Sequence, residues 1–224
     1  MNIAEKLETI AENLPKIFEA GKAQGGDLWD GFQEKGARTD YYYGFAGSWW
    51  TDENFKPKYP VRPTKAGYLF INSQITDIRE AQIDFSGLTV NTGNARPFAN
   101  SRVRYVGVVD LSNMCEMHNT FFGVESGQSY LESIELLILP SSKVPIFGAN
   151  FFQNCSKLKD IAIEGTIGCD LNMAACPLSA TSVQSIVDHL QDLRGLSSKT
   201  VTLTNASVTE EQRDAIRTKN WTLA

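Results

Sequence analysis

The stretch FFQNCSKLKDIAIEG, Phe151 to Gly165, sets Cys155 close to Lys157 and Lys159, just ahead of a strand-like run. Basic neighbours favour a thiolate, so this spacing could serve a reactive thiol. The same residues also suit a scaffold, with Cys155 turned inward between Phe152 and Leu158 and both lysines on the wet side. Asp84, Glu135, Asp160 and Glu164 could approach one another across strands, but paired carboxylates do acid–base chemistry only in a shaped cleft that perturbs them. His118, in NMCEMHNT, and His189, in an apolar-periodic segment, stand in no nucleophile–base motif. No glycine-rich phosphate loop occurs. The four cysteines (Cys115, Cys155, Cys169, Cys176) make no C-x-x-C pair, and the two histidines complete no zinc-like grouping. The expectation is a protein that is not an enzyme, with no catalytic residues, no metal, no cofactor, and thiols that are reduced and mostly buried.

A net charge of −5 and a pI near 5.1, with no Lys/Arg-rich stripe, argue against nucleic-acid partners. No run approaches the roughly 18–20 apolar residues of a membrane span, so membrane insertion is not expected. MNIAEKLETIAENL alternates charged with apolar residues, and no signal peptide is read in this chain. NAS at 205–207 and NWT at 220–222 fit the glycosylation sequon and are read as coincidental.

Three regions must position any site. In residues 1–26, Ile3, Leu7, Ile10, Leu14 and Ile17 form a heptad-like apolar seam on a helix. So short a helix needs a partner, either its own domain or copies of itself. A homo-oligomer follows from the second option, and a trimer is among the states the seam allows. Pro15 predicts a bend near Asn13–Pro15, with the helix resuming to about Lys22. Residues 27–74 form a capping or linker region dense in aromatics, with Tyr41, Tyr42, Tyr43, Phe45, Trp49, Trp50, Phe55 and Tyr59 concentrated at 41–59. They read either as a stacking platform for sugars or as a cap over the open end of a stacked core.

Residues 75–224 carry a repeat. Apolar-x-x-apolar-x-apolar recurs as Ile78/Ala81/Ile83, Val103/Val106/Val108, Leu131/Ile134/Leu136 and Leu158/Ile161/Ile163, at intervals of 25, 28 and 27 residues. A degenerate turn follows at KTVTLTN, with Val201 and Leu203 inward. Ala180 to Leu193 reads as an amphipathic helix, and SVTEEQRDAIRTKNW as a capping helix with acids early and bases late. The fold class expected is an α/β repeat: a short, irregular leucine-rich-repeat solenoid with an N-terminal helix and C-terminal capping helices. The residues between inward positions would then line one exposed sheet face. Its rows are Glu80, Tyr105, Ser133, Asp160 and Thr200; Gln82, Gly107, Glu135, Ala162 and Thr202; and Asp84, Val109, Leu137, Glu164 and Thr204. The candidate binding face is Tyr105, Val109, Glu135, Leu137, Asp160 and Glu164, with Val109 and Leu137 as an apolar island inside a charged rim.

YLESIELLILPSSKVPIFGANFFQNCSKLKDIAI resembles the BspA-like (Treponema-type) leucine-rich repeats. Leu131, Ile134, Leu136, Pro140, Val144, Phe152, Cys155, Leu158, Ile161 and Ile163 stand in the consensus positions. FANSRVRYVGV is a weaker copy, with Ser101 in place of the cysteine. The resemblance covers about residues 75–170. IAEKLETIAENLPKIFEAGK followed by WTDENFKPKYP is similar to short leucine-rich-repeat proteins of phages and prophages of gut Firmicutes. The resemblance implies a non-enzymatic binding surface and transfers no catalytic residues. The function expected is a phage virion component, in a tail or other attachment role, recognising a host surface protein or glycan. The alternatives are a bacterial cell-surface adhesin or protein-interaction module, and a carbohydrate-binding protein using the aromatics at 41–59. The expected location is a virion or an extracellular surface.

Overall fold

Segments rich in β-branched and aliphatic residues, too short for stable helices and punctuated by Asn, Gly and Pro, favour short strands. In the computed structural model, which describes residues 45–224 except 49, 54, 58–60, 64–66, 82, 89–95, 115, 118–120, 125–126, 142–145 and 149, they form eight. These are β1 (Tyr105–Asp110), β2 (Glu116–Met117), β3 (Ser133–Ile138), β4 (Ile146–Phe147), β5 (Asp160–Glu164), β6 (Leu171–Asn172), β7 (Lys199–Thr202) and β8 (Trp221–Leu223). Helix α1 (Ala180–His189) lies between β6 and β7, and α2 (Glu210–Thr218) between β7 and β8. The N-terminal seam, His118, Cys115, Tyr41–Tyr43, Trp49, Tyr59 and Gln82 lie outside the described residues.

All strand pairs are parallel. They make a three-stranded sheet in the order β1-β3-β5, a two-stranded ladder of β2 with β4, and a second three-stranded sheet in the order β6-β7-β8. The expected leucine-rich-repeat solenoid is therefore corrected. The described residues build a small mixed α/β unit with only two helices, and its sheets do not close into a solenoid. The physical reason lies at β5. Where a fourth strand would pair, α1 instead presents two hydroxyls: the Ile161 and Ile163 N–H groups donate to Ser182 Oγ and Ser185 Oγ, each at 2.8 Å. With that edge satisfied, the Val201 strand joins a different sheet with β6 and β8.

Inside runs a ladder of phenylalanines. Phe45, Phe70, Phe98, Phe122 and Phe152 stack in sequence, with centroids 5.4, 5.7, 5.2 and 5.4 Å apart and rings within 22° of parallel. Phe121 and Phe151 stack beside them at 5.6 Å and meet Phe122 and Phe152 edge-on. Each stacked or edge-on pair adds about 0.5–1.5 kcal/mol beyond its apolar burial. One apolar cluster extends from Phe45 to Trp221, so residues 45–74 share the core of the rest. Three rungs are followed by an asparagine in the left-handed region, Asn72, Asn100 and Asn154 (φ 57°, 50° and 59°). Each asparagine turns the chain so that the next residue, Ser73, Ser101 or Cys155, is buried.

Helix α2 forms as expected. Thr209 Oγ1 accepts from Gln212 N at 3.3 Å while Gln212 Oε1 accepts from Thr209 N at 3.0 Å, a reciprocal capping box. Helix α1 is capped by Ser179 and ends at His189, short of the expected Leu193, because the chain leaves it to pair Leu190 with Ile167. Its last carbonyls are held by the Lys219 ammonium, which donates to the carbonyls of Val187, Asp188 and Leu190 at 2.8, 2.9 and 3.0 Å.

Candidate functional site

The outer face of β1-β3-β5 is the surface on which the sequence placed its candidate residues. Tyr105, Ser133 and Asp160 align across it as expected. Glu135, Asp160 and Glu164 are exposed, and Tyr105 is half-buried. Val109 and Leu137 are not on this face. They are 0 % and 1 % exposed and belong to the core, which corrects the expected apolar island. The cause is a register shift: Ile134 pairs with Ile161, but the next inward partners are Leu137 and Ile163, so β3 carries one residue more than β5. β1 carries the same extra residue, since Val106, Val108 and Val109 stay level with Ile134, Leu136 and Leu137. Because strand side chains alternate, one inserted residue turns the following positions over. Val108, expected inside, is therefore 51 % exposed, and its cross-strand neighbour Leu136 is half-buried. An apolar island exists, displaced by one residue from its predicted place.

Aromatic and charged groups lie beside this island. Tyr105 sits between two guanidinium groups, with Arg79 5.0 Å and Arg104 5.1 Å from the ring centroid. Its hydroxyl donates to Glu132 Oε2 at 3.0 Å, and Arg104 donates to Glu132 Oε1 from Nε at 2.9 Å and pairs with it through Nη2 at 2.8 Å. Partial burial pulls the Glu132 carboxyl up, but the hydrogen bonds from Arg104 and Tyr105 outweigh it and hold it below its ordinary range. Arg79 is fixed by a forked pair to Asp77, whose carboxyl is lowered by that bond. The Arg79 backbone can lie against β1 because position 107 is glycine; a Cβ there would come within 2.9 Å of the Arg79 carbonyl oxygen. Lys157 sits 5.0 Å from the centroid of the half-exposed Tyr130. Arg79, Tyr105, Glu132, Lys157, Lys159 and Asp160, with Ser133, line an open concavity of about 390 Å3.

Both edges of the sheet are covered in part. The serines of α1 cover β5, and on the other side Ile78 N donates to Tyr105 O at 2.9 Å while Arg104 N donates to Thr76 O at 2.8 Å. What these contacts leave available is chiefly the face. The remaining row members scatter: Glu80 is exposed off the sheet, Asp84 caps a turn at Ser86 and pairs with Arg62, and Thr200, Thr202 and Thr204 follow the second sheet.

The candidate thiol is a core group. Cys155 is 0 % exposed, its Sγ lies 3.4 Å from the Phe122 carbonyl, and burial pushes the thiol up to about 12. Burial raises Cys176 and the half-buried Cys169 as well. His189 Nδ1 lies 2.8 Å from the Ser185 carbonyl within α1. Among the described residues no group of three or more His, Cys, Asp or Glu is placed to hold a metal ion, and no helix is long and apolar enough to cross a membrane. Of the aromatics at 41–59, Phe45 and Phe55 are buried and meet Trp50 edge-on, so these three rings cap the core. Sequence reasoning missed Val108, Arg79 and Arg104. The bulge has no local signature, while RVRYVGVV set over YLESIELL does reveal an apolar pair at 108 and 136 once the two are aligned. No family model matches this chain, and neither the curated proteins nor the solved structures hold a significant match to it.

Proposed function

We propose that this chain is a non-enzymatic binding protein whose recognition surface is the outer face of β1-β3-β5, and that it serves as an attachment component of a phage particle. The observation that carries the binding reading is the exposed Val108 beside Leu136, on a sheet face next to Tyr105 and its two neighbouring guanidinium groups. An apolar centre with a polar, partly pre-organised rim is the usual anatomy of a protein contact. Tyrosine and arginine are the residue types that dominate such contacts when they are held in place. The attachment role rests on the sequence resemblance of residues 75–170 and of the front end. The partner is a protein or glycan of a host surface.

The test is binding of the fluorescently labelled chain to intact gut Firmicutes cells, measured by flow cytometry. Saturable binding is expected, and Val108→Glu with Leu136→Glu should weaken it by at least about tenfold. The same pair should lower the melting temperature only modestly, because Val108 is 51 % exposed and Leu136 is half-buried rather than in the core. Saturable binding that is indifferent to this pair of changes would remove the sheet face from the reading. Absence of binding across a panel of such cells would count against attachment.

A further inference from the structure

The second sheet ends at β8. Among the described residues β8 pairs with β7 alone. Ala224 N donates to Val201 O at 3.0 Å, and Ala224 O accepts from Leu203 N at 2.9 Å, so both polar groups of Ala224 face β7. Strand alternation turns those of Thr222 the same way, and the N–H and C=O of Trp221 and Leu223 point away from β7. Trp221 is 3 % exposed and Leu223 is half-buried, so the outward groups of Leu223 are the ones a further strand can reach.

The surroundings of that edge select its occupant. Arg213 and Arg217, one turn apart on α2, line a concavity of about 280 Å3 with Trp221, Thr222 and Leu223. The acids that face these arginines lie on α2 itself. Glu210 is 3.9 Å from Arg213 Nε and 3.4 Å from Arg217 Nη1, and Asp214 is 3.1 Å from Arg217 Nη1. All these side chains are at least 42 % exposed, so the pairs are solvated and an incoming carboxylate can replace them. The Arg213 Nη and Arg217 Nη2 donors remain uncommitted in these pairs.

We propose that β8 binds an extended acidic segment of a partner protein, which adds as a strand beside Trp221–Leu223 and sets a carboxylate between Arg213 and Arg217. Backbone pairing supplies the register, and the arginines supply the preference for acid. This surface is separate from the face of β1-β3-β5 and stands or falls independently of it.

The test titrates the 15N-labelled full chain with the capped peptide TVEVEVT and with its basic counterpart TVKVKVT. The acidic peptide should shift the amides of Trp221 and Leu223 and the Nε–H signals of Arg213 and Arg217. Arg213→Gln with Arg217→Gln should weaken it by about tenfold. Leu223→Pro removes an outward N–H without breaking a bond to β7, so it should abolish binding while the other amide signals stay in place. Equal binding of the basic peptide, shifts confined to another surface, or affinity retained in the arginine double variant would each overturn the proposal. So would the absence of shifts at millimolar peptide, including the case in which the Leu223 amide is already protected from exchange by a second copy or by other residues of the chain.

Discussion

Ser182→Ala tests whether α1 seals the edge of the first sheet. The substitution removes the oxygen that accepts from Ile161 N–H at 2.8 Å. Ser182 is 3 % exposed and Ile161 4 %, so water cannot take its place. An N–H left unpaired in such a setting costs about 1–3 kcal/mol. Alanine recovers about 0.5 kcal/mol through its higher helix propensity. The net expectation is a loss of about 1.5 kcal/mol. With an m-value of about 2 kcal/mol/M in urea, the midpoint falls by about 0.7 M. Ser185→Ala is the internal control. It removes an equivalent bond to Ile163 N–H, but Ser185 is half-buried, so water can substitute and propensity offsets the remainder. Its expected loss is below about 0.5 kcal/mol. Equilibrium urea unfolding followed by tryptophan fluorescence gives both numbers, and hydrogen exchange at Ile161 and Ile163 locates the effect. Equal losses in the two variants, or a larger loss in Ser185→Ala, would refute the reasoning that burial of the accepting serine sets the cost.

Phe122→Ala removes the ring stacked between Phe98 and Phe152 and should cost about 4 kcal/mol by urea unfolding, with Phe122→Leu costing about half as much. Iodoacetamide should modify native Cys169 well before Cys155 and Cys176, because of these three described cysteines Cys169 alone is part-exposed; mass spectrometry showing Cys155 modified first would contradict its placement. The folded Cys155 thiol titrates at about 12 against an ordinary 9.0, so its contribution to stability is complete below pH 9 and is lost as pH rises towards 12. Cys155→Ala should therefore flatten the alkaline fall in urea midpoint. Removal of residues 1–24 should convert an oligomer into a monomer by light scattering, and an intact chain that is already monomeric at high concentration would dispose of the Ile3–Ile17 seam as an assembly element.

Legibility in the sequence followed the range of the interactions. Both C-terminal helices could be read because their caps and apolar spacing are local, as Thr209 with Gln212 shows. The inward placement of Cys155 was readable from its position between Phe152 and Leu158. The solenoid expectation failed on a fact that no spacing encodes, namely that Ser182 and Ser185 occupy the edge where the next strand would pair. The binding-face residues Val109 and Leu137 failed through one inserted residue, which leaves Tyr105, Asp160 and Glu164 on the surface while sending these two inside. A signal for the turns was present and went unused: Phe-x-Asn followed by Ser or Cys occurs at 70–73, 98–101 and 152–155. It marks each place where a stacked ring precedes a left-handed asparagine.

The Lys219 ammonium that closes the end of α1 also imposes an order of events during synthesis. Strand β5 and the helix that seals it leave the ribosome first, but the carbonyls of Val187, Asp188 and Leu190 acquire their donor only when residue 219 follows. The roughly 30 residues from His189 to Lys219 take about 1.5–6 s at about 5–20 residues per second. For that interval the nascent chain holds an incompletely capped helix over a sheet edge able to pair with a neighbouring nascent chain. Crowding of nascent chains during that interval should therefore lower the yield of correctly folded protein.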